Sequence, residues 1–244
     1  MDRLIYLSMA GAKATMQRQD VLSHNLANAS TTGFRAEMAA FRAVPVRGDG
    51  ASTRAYALET TIGYDDRGGP VQTTGRDLDV AMQGRAWLAV QGQDGTEAYT
   101  RAGSLEVNAE GTLVTANGRA VVGDGGPITL PAGARVDIAT DGVVSATVGN
   151  GRPQAVGRLK LVTPEGTLQR GTDGLFRAAD GNDLQADPQA RVLGGALEGS
   201  NVSPVETMVA MITAARQFEQ QMKSLQGAEQ RDQAAQRLLS SSPM

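Results

Sequence analysis

Glycine and proline are confined to the middle of this chain, and that confinement decides where long helices can form. Of 30 glycines, 27 lie between Gly48 and Gly199; only Gly11, Gly33 and Gly227 lie outside. No proline precedes Pro45, and none falls between Pro204 and Pro243. Glycine weakens a helix through backbone entropy, and proline through a missing donor and a ring clash. The two ends of the 244-residue chain can therefore be long helices, and the middle cannot.

The N-terminal helix is predicted from about Asp2 to Asn28. Ile5, Met9, Ala12 and Met16 recur at helical spacing, and Leu22 and Leu26 extend the pattern. Much of the remainder is small or polar (Ala10, Ala14, Thr15, Gln17, Gln19), which lets helices approach closely. The C-terminal helix has the clearest start signal in the chain. Ser203 is placed to cap it, Pro204 takes the first helical position and Glu206 the third. Its stripe is Met208, Met211, Ile212, Ala215, Phe218, Met222 and Leu225, and the helix is expected to reach Leu238 or Leu239 with Gly227 as a weak point. Each stripe alone is compatible with a surface helix packed on its own domain. As the only long helices on offer, the two are expected to pack against each other or against copies in other subunits.

The middle reads as β structure. Asp-Gly or Asn-Gly pairs stand at 94–95, 117–118, 124–125, 141–142, 150–151, 173–174 and 180–181, and such pairs favour tight hairpin turns. Short apolar runs lie between them, among them Trp87 to Val90, Ile128 to Leu130, Val136 to Ile138 and Leu159 to Val162. In Arg158-Leu159-Lys160-Leu161 the sides alternate, as in a half-buried strand. From Val44 to Gly75 no period is clear, which suggests an extended connector with one or two strands.

Composition excludes several classes of function. A net charge of -3 with interspersed signs gives no basic footprint for nucleic acid and no polybasic membrane anchor. No cysteine is present, so disulfides, thiolate metal sites and a cysteine nucleophile are ruled out. No segment approaches the roughly 18–20 apolar residues of a bilayer span, and direct membrane insertion is not expected. The opening Met1-Asp2-Arg3-Leu4-Ile5 lacks a basic stretch followed by a long apolar core, and is not expected to be a cleavable secretory signal. Aromatics are 4% of residues, with Trp87 the single tryptophan, so part of the burial is expected to come from neighbouring subunits.

Catalytic constellations are sparse. His24 is the one histidine; it has no histidine or cysteine partner for a metal and reads as a helix-surface or interface residue. There is no G-x-S-x-G elbow. Asp77 and Asp79 are two apart and would share one face of a strand, where paired carboxylates can do acid–base work; the plainer reading is a charged approach to the β domain. Gly123-Asp124-Gly125-Gly126 lacks the phosphate-loop pattern and reads as a turn. No cofactor, metal or enzymatic activity is expected.

Three stretches in order then carry a resemblance. Asn25-Leu26-Ala27-Asn28-Ala29-Ser30-Thr31-Thr32-Gly33-Phe34-Arg35 is similar to the N-L-A-N…T-x-G-F/Y-K/R signature of the axial proteins of the bacterial flagellar rod and hook. Asp77-Leu78-Asp79-Val80-Ala81, Tyr99-Thr100-Arg101-Ala102-Gly103 and Gly126-Pro127-Ile128 resemble that family's β-domain pattern. Glu198-Gly199-Ser200-Asn201-Val202-Ser203-Pro204-Val205-Glu206 resembles its C-terminal motif. In the signature, the asparagines and Ser/Thr are expected to end the helix, Gly33 to allow the turn and Phe34 to pin the exit. Phe41-Arg42-Ala43-Val44-Pro45-Val46, Trp87-Leu88 and Ala215-Arg216-Gln217-Phe218-Glu219 are most similar to the proximal rod member; Leu105 departs from the family's more usual phenylalanine.

The resemblance implies an α+β fold: long N- and C-terminal helices packed as a coiled-coil-like pair, with a central all-β domain. It divides the chain into an N-terminal axial helix and signature turn (1–35), an extended connector (36–75), a central β domain (76–198) and a C-terminal axial helix (199–244). It implies a structural rod subunit in the basal body, where the rod crosses the periplasm. Its implied partners are further copies, other rod proteins and the flagellar type III export apparatus. The expected assembly interface is the two stripes, and the signature residues are Asn25, Leu26, Asn28, Thr31, Gly33, Phe34, Arg35, Asn201, Pro204 and Glu206. A distal rod protein of the same family and a cell-wall-binding module are the alternatives; the paucity of aromatics for sugar stacking speaks against the latter.

Overall fold

The computed structural model of the chain describes residues 2–45 and 55–240. Met1, the stretch 46–54 inside the expected connector and the end of the C-terminal segment at 241–244 fall outside the described residues, as do the side chains of Phe41 and Ala43. The chain forms two compact units. Unit 1 comprises Met1–Ala27, Glu37–Ile62 and Ser203–Met244; unit 2 comprises Asn28–Ala36 and Gly63–Val202.

Unit 1 contains helix α1 (Asp2–Ala27), helix α2 (Pro204–Ser240) and the paired strands Glu37–Pro45 and Ala55–Tyr64, whose last two residues belong to unit 2. The segment expected to be a connector with one or two strands thus carries two long strands and a third, Val71–Thr73. At the start of α2 the Glu206 N–H donates to Ser203 Oγ at 3.5 Å, and Thr207 donates to the Ser203 carbonyl through N at 3.0 Å and Oγ1 at 2.8 Å. Ser203 therefore receives donors that a helix start leaves open.

The coiled-coil-like pairing is not what forms. Where α1 and α2 meet, a Cβ on Gly11 would lie 3.0 Å from the Gln221 side chain. The buried described side chains of the two helices within unit 1 are Ser8, Ala14 and Asn25 on α1 and Thr207 and Ala214 on α2. These are small or polar residues, not apolar knobs. Met9, Met16, Met208 and Ile212, central to the expected seam, are exposed. Helix geometry gives the reason. At about 100° per residue, Met9 and Met16 project from the side of α1 opposite Gly11. The six-residue step from Met16 to Leu22 swings the stripe about a third of a turn, so a 3.5-residue seam is not sustained.

Unit 2 is the central β region. Its largest sheet has five antiparallel strands in the order Leu161–Val162, Trp87–Gln91, Glu97–Thr100, Phe176–Arg177 and Gln169–Arg170. The strand Trp87–Gln91 is buried on both faces. Leu88 and Val90 enter one core with Val80, Leu105, Leu113, Val121, Val144 and Leu161, while Trp87 and Ala89 enter a second with Tyr64, Tyr99, Val162 and Phe176. This is the alternation of a pleated strand applied twice, and it accounts for an unbroken apolar run. Leu105, the departure from the family's phenylalanine, is fully buried in the first core. In the second, Trp87 sits 4.7 Å from Phe176 and 5.7 Å from Tyr64 between ring centroids, and with Tyr99 four of the nine aromatics lie in this one core.

The Asp-Gly pairs at 94–95 and 141–142 close the hairpins Trp87–Gln91/Glu97–Thr100 and Arg135–Ile138/Val143–Thr147. Val71–Thr73 pairs antiparallel with Ala196–Glu198, Val71 opposite Glu198, so the C-terminal motif enters unit 2 as a strand before α2 begins.

Candidate functional site

The N-terminal signature folds into two devices, one in each unit. In unit 1, Asn25 reaches across to the first residue of the strand Glu37–Pro45. Its Oδ1 accepts from the Glu37 N–H at 2.8 Å and its Nδ2 donates to the Glu37 carbonyl at 2.9 Å. A buried primary amide thus imitates a strand partner and satisfies both of its own halves. Asn25 does not end the helix on its own backbone as the sequence suggested. His24 stands beside it, Nδ1 3.1 Å from Glu37 Oε2.

Helix exit is handled by the next residues, in unit 2. Asn28 accepts from Thr31 through its carbonyl at 3.1 Å and through Oδ1 at 3.2 Å, and Thr31 accepts from the Phe34 N–H at 3.3 Å. Gly33 has φ 68°, and a Cβ there would lie 2.2 Å from the Arg101 carbonyl carbon. Only glycine fits both the left-handed backbone and the close approach. Phe34 is buried beneath the Arg170 guanidinium, 4.5 Å from its ring centroid.

These turns deliver Arg35 into a buried ionic knot. Arg35, Arg101 and Glu198 are 2%, 3% and 2% exposed. Arg35 Nη1 is 2.7 Å from Glu198 Oε1, and Arg101 Nε donates to Glu198 Oε2 at 2.8 Å, with Nη2 on the same oxygen. The rest of the Arg101 fork donates to the carbonyls of Met82 and Gly84 at 3.0 Å and to that of Ala86. Arg35 also donates to the Arg67 carbonyl at 2.9 Å, and Gly69 N–H to Glu198 Oε1 at 2.9 Å. Among the described residues, Arg35 Nε is buried with no hydrogen-bond partner. Burial pulls the Arg101 guanidinium below its ordinary pKa and Glu198 opposes that pull; an arginine stays cationic regardless. One carboxylate therefore balances two buried cations.

Asn201 completes the junction. Its Oδ1 accepts from the Ala36 N–H at 2.7 Å, and its Nδ2 donates to the Asp65 and Arg67 carbonyls, each at 2.9 Å. Gly33 N–H donates to the Glu198 carbonyl at 2.8 Å and Asn201 N–H to the Phe34 carbonyl at 3.3 Å. Residues from all three sequence stretches that carried the resemblance, Gly33 to Arg35, Arg101, Glu198 and Asn201, meet here within unit 2. Arg101 and Glu198 stood inside those stretches without an assigned role. The signal for them was a charged residue embedded among small and apolar ones.

The carboxylates at 77 and 79 are separated, not paired. Residues 76–79 form a turn, with Asp79 N–H on the Arg76 carbonyl at 3.0 Å, so strand alternation does not apply. Asp79 is buried and accepts from Thr74 Oγ1 at 2.7 Å and Arg76 Nε at 2.9 Å; Asp77 is exposed, 3.2 Å from Arg135. Among the described residues, no group of three or more His, Cys, Asp or Glu is arranged to hold a metal, and no helix is long and apolar enough to cross a membrane.

The stripe residues divide in two. Ile5, Ala12, Leu22, Leu26, Met211, Ala215, Phe218, Met222 and Leu225 are half-buried, whereas Met9, Met16, Met208 and Ile212 face outward. Two residues that the stripes did not include, Val205 and Val209, join Met208 and Ile212 on one exposed ridge at i, i+3, i+4 and i+7. Pro204 and Glu206 are exposed in the first turn of α2.

Comparison with known proteins matches the same three zones. Residues 5–35 match the model of the flagella basal body rod protein, 81–146 the flagellar hook protein FlgE/F/G D1 domain, and 193–238 the flagellar basal body rod FlgEFG protein C-terminal. The flagellar basal-body rod protein FlgF of Salmonella typhimurium is 48% identical, over 99% of this chain and 100% of its own. The chain belongs to the flagellar basal-body rod protein family. FlgF of Escherichia coli is also 48% identical over 99% of this chain, and FlgF of Caulobacter vibrioides is 35% identical over 92%. Within the rod family the chain is most like the FlgF members, and it is a structural subunit of the proximal rod of the flagellar basal body. The signature, the knot and the C-terminal motif are thus the architecture of a rod protein.

Proposed function

We propose that this rod subunit assembles through the outward faces of its terminal helices and so transmits torque along the rod, without enzymatic activity. The observation that carries the reading is the row of large apolar side chains left exposed on α1 and α2: Tyr6, Met9, Met16, Val205, Met208, Val209 and Ile212. Apolar surface of this kind on a structural subunit favours burial against other subunits. The half-buried members of the two stripes, from Ile5 to Leu225, are taken to complete the interface. Its partners are further copies and the other rod proteins. The chain reaches the rod, where it crosses the periplasm, unfolded through the flagellar type III export apparatus. In the dilute monomer the terminal stripes lack the partners that assembly supplies, so the helices α1 and α2 fray, because ordering them costs entropy that their own burial only partly offsets.

An in-frame deletion tests the reading, scored by swimming and by electron microscopy of isolated basal bodies. Loss of motility with the rod absent or interrupted, restored by the wild-type chain, is the expected result. Complete basal bodies and normal swimming would refute it.

A further inference from the structure

We propose that Glu198 is a latch holding the two ends of unit 2 closed, so that releasing either end opens the other. The proposal rests on unit 2 alone and is independent of the assembly reading. Arg35 enters from the first segment of the unit, Asn28–Ala36, and Glu198 from its last strand, Ala196–Glu198. Arg101 comes from the middle of the chain, and its fork holds the carbonyls of Met82, Gly84 and Ala86. Removing one partner of a buried ion pair leaves an uncompensated buried charge, which is far more damaging than exchanging the whole group for apolar residues. Here the exposure is doubled, because one carboxylate faces two guanidiniums. Withdrawing the strand at 196–198 strands both arginines; withdrawing 28–36 takes one of the two cations from Glu198.

Backbone contacts make the coupling mutual. Gly33 N–H sits on the Glu198 carbonyl, Gly199 N–H on the Pro70 carbonyl at 2.8 Å, and a Cβ on Gly69 would lie 2.1 Å from the Gly199 carbonyl oxygen. Neither end segment can shift without moving the wall against which the other packs. The consequence is a unit that cannot complete itself until residue 198 has returned to residue 35, and that loosens when a chain is drawn out from either end.

Hydrogen–deuterium exchange of the full-length protein tests this in both directions. In Glu198→Gln, whose amide offers donors to donors, exchange is expected to rise at least ten-fold at 33–36 and 82–86 as well as at 196–199. In Arg35→Lys, which keeps the charge but loses the fork, exchange is expected to rise at 196–199 as well as at 33–36. Loosening confined to the substituted segment, or no change, would overturn the latch. Should Glu198→Gln leave no folded unit 2, the Arg35→Lys comparison decides alone: protection of 196–199 at the wild-type level would overturn the proposal.

Discussion

Gly33 shows how much a single residue can be asked to do. It combines a φ of 68° with a close approach to the backbone of Arg101 and Ala102. An alanine there meets left-handed strain of order 1–3 kcal/mol, and its Cβ overlaps main chain that cannot step aside. Gly33→Ala is expected to lower the thermal midpoint by several degrees, since about 1 kcal/mol corresponds to roughly 2–4 °C in a chain of this size; a thermal melt followed by circular dichroism checks it. Tyr99 carries a different load. Its hydroxyl donates to Glu97 at 2.9 Å and accepts from the Leu184 N–H at 2.6 Å, and burial pushes its pKa up. Tyr99→Phe leaves that N–H without its acceptor, and a loss of about 1–3 kcal/mol is expected in chemical denaturation.

At the scale of elements, two hairpin turns of unit 2 share one cation. Gly92-Gln93-Asp94-Gly95 and Gly171-Thr172-Asp173-Gly174 repeat the same pattern. Gly92 N–H bonds the Thr96 carbonyl at 2.8 Å and Gly171 N–H the Leu175 carbonyl at 2.7 Å. Arg177 reaches both aspartates, Asp173 at 2.9 Å and Asp94 at 3.5 Å. The Arg177 hydrogen bond holds the Asp173 carboxyl below its ordinary pKa. The folded value is the depressed one, so the stabilisation is fully present above the usual carboxylate pKa of about 3.9 and is lost as pH falls through the lower folded value. Asp173→Asn is therefore expected to remove part of the loss of stability below about pH 4 while leaving the rest of the acid limb intact, as read by denaturant midpoints against pH. The helices obey a different rule. Small side chains at Ser8, Gly11, Ala14 and Ala214 bring α1 and α2 together, and closeness is bought by turning methionines outward.

For the whole molecule, those outward residues separate assembly from folding. Met208→Asp and Ile212→Asp place a charge on an exposed ridge of unit 1 and leave every residue of unit 2 unaltered. Each is expected to block rod incorporation while leaving the near-ultraviolet signal and melting of unit 2 unchanged; motility and basal-body fractionation check the first, spectroscopy the second. Phe218→Asp, at a half-buried position, is expected to block incorporation as well. Much of this organisation was legible in the chain. The exclusion of glycine and proline from both ends determined two terminal helices, and the spaced Asp-Gly pairs and short apolar runs determined a β-rich middle, because both are local effects of backbone freedom and period. The motif stretches determined the family. What only the tertiary structure decided was which residues meet. The stripe was one-dimensional, and a six-residue step was enough to carry Leu22 and Leu26 to a different side of α1 from Met9 and Met16. The partnership of Arg35 and Arg101 with Glu198 spans the chain, and Asp77 and Asp79 diverge at a turn that their spacing does not announce. Such contacts depend on how distant segments return to one another, and a charge embedded in a motif carries no mark of the partner it will find.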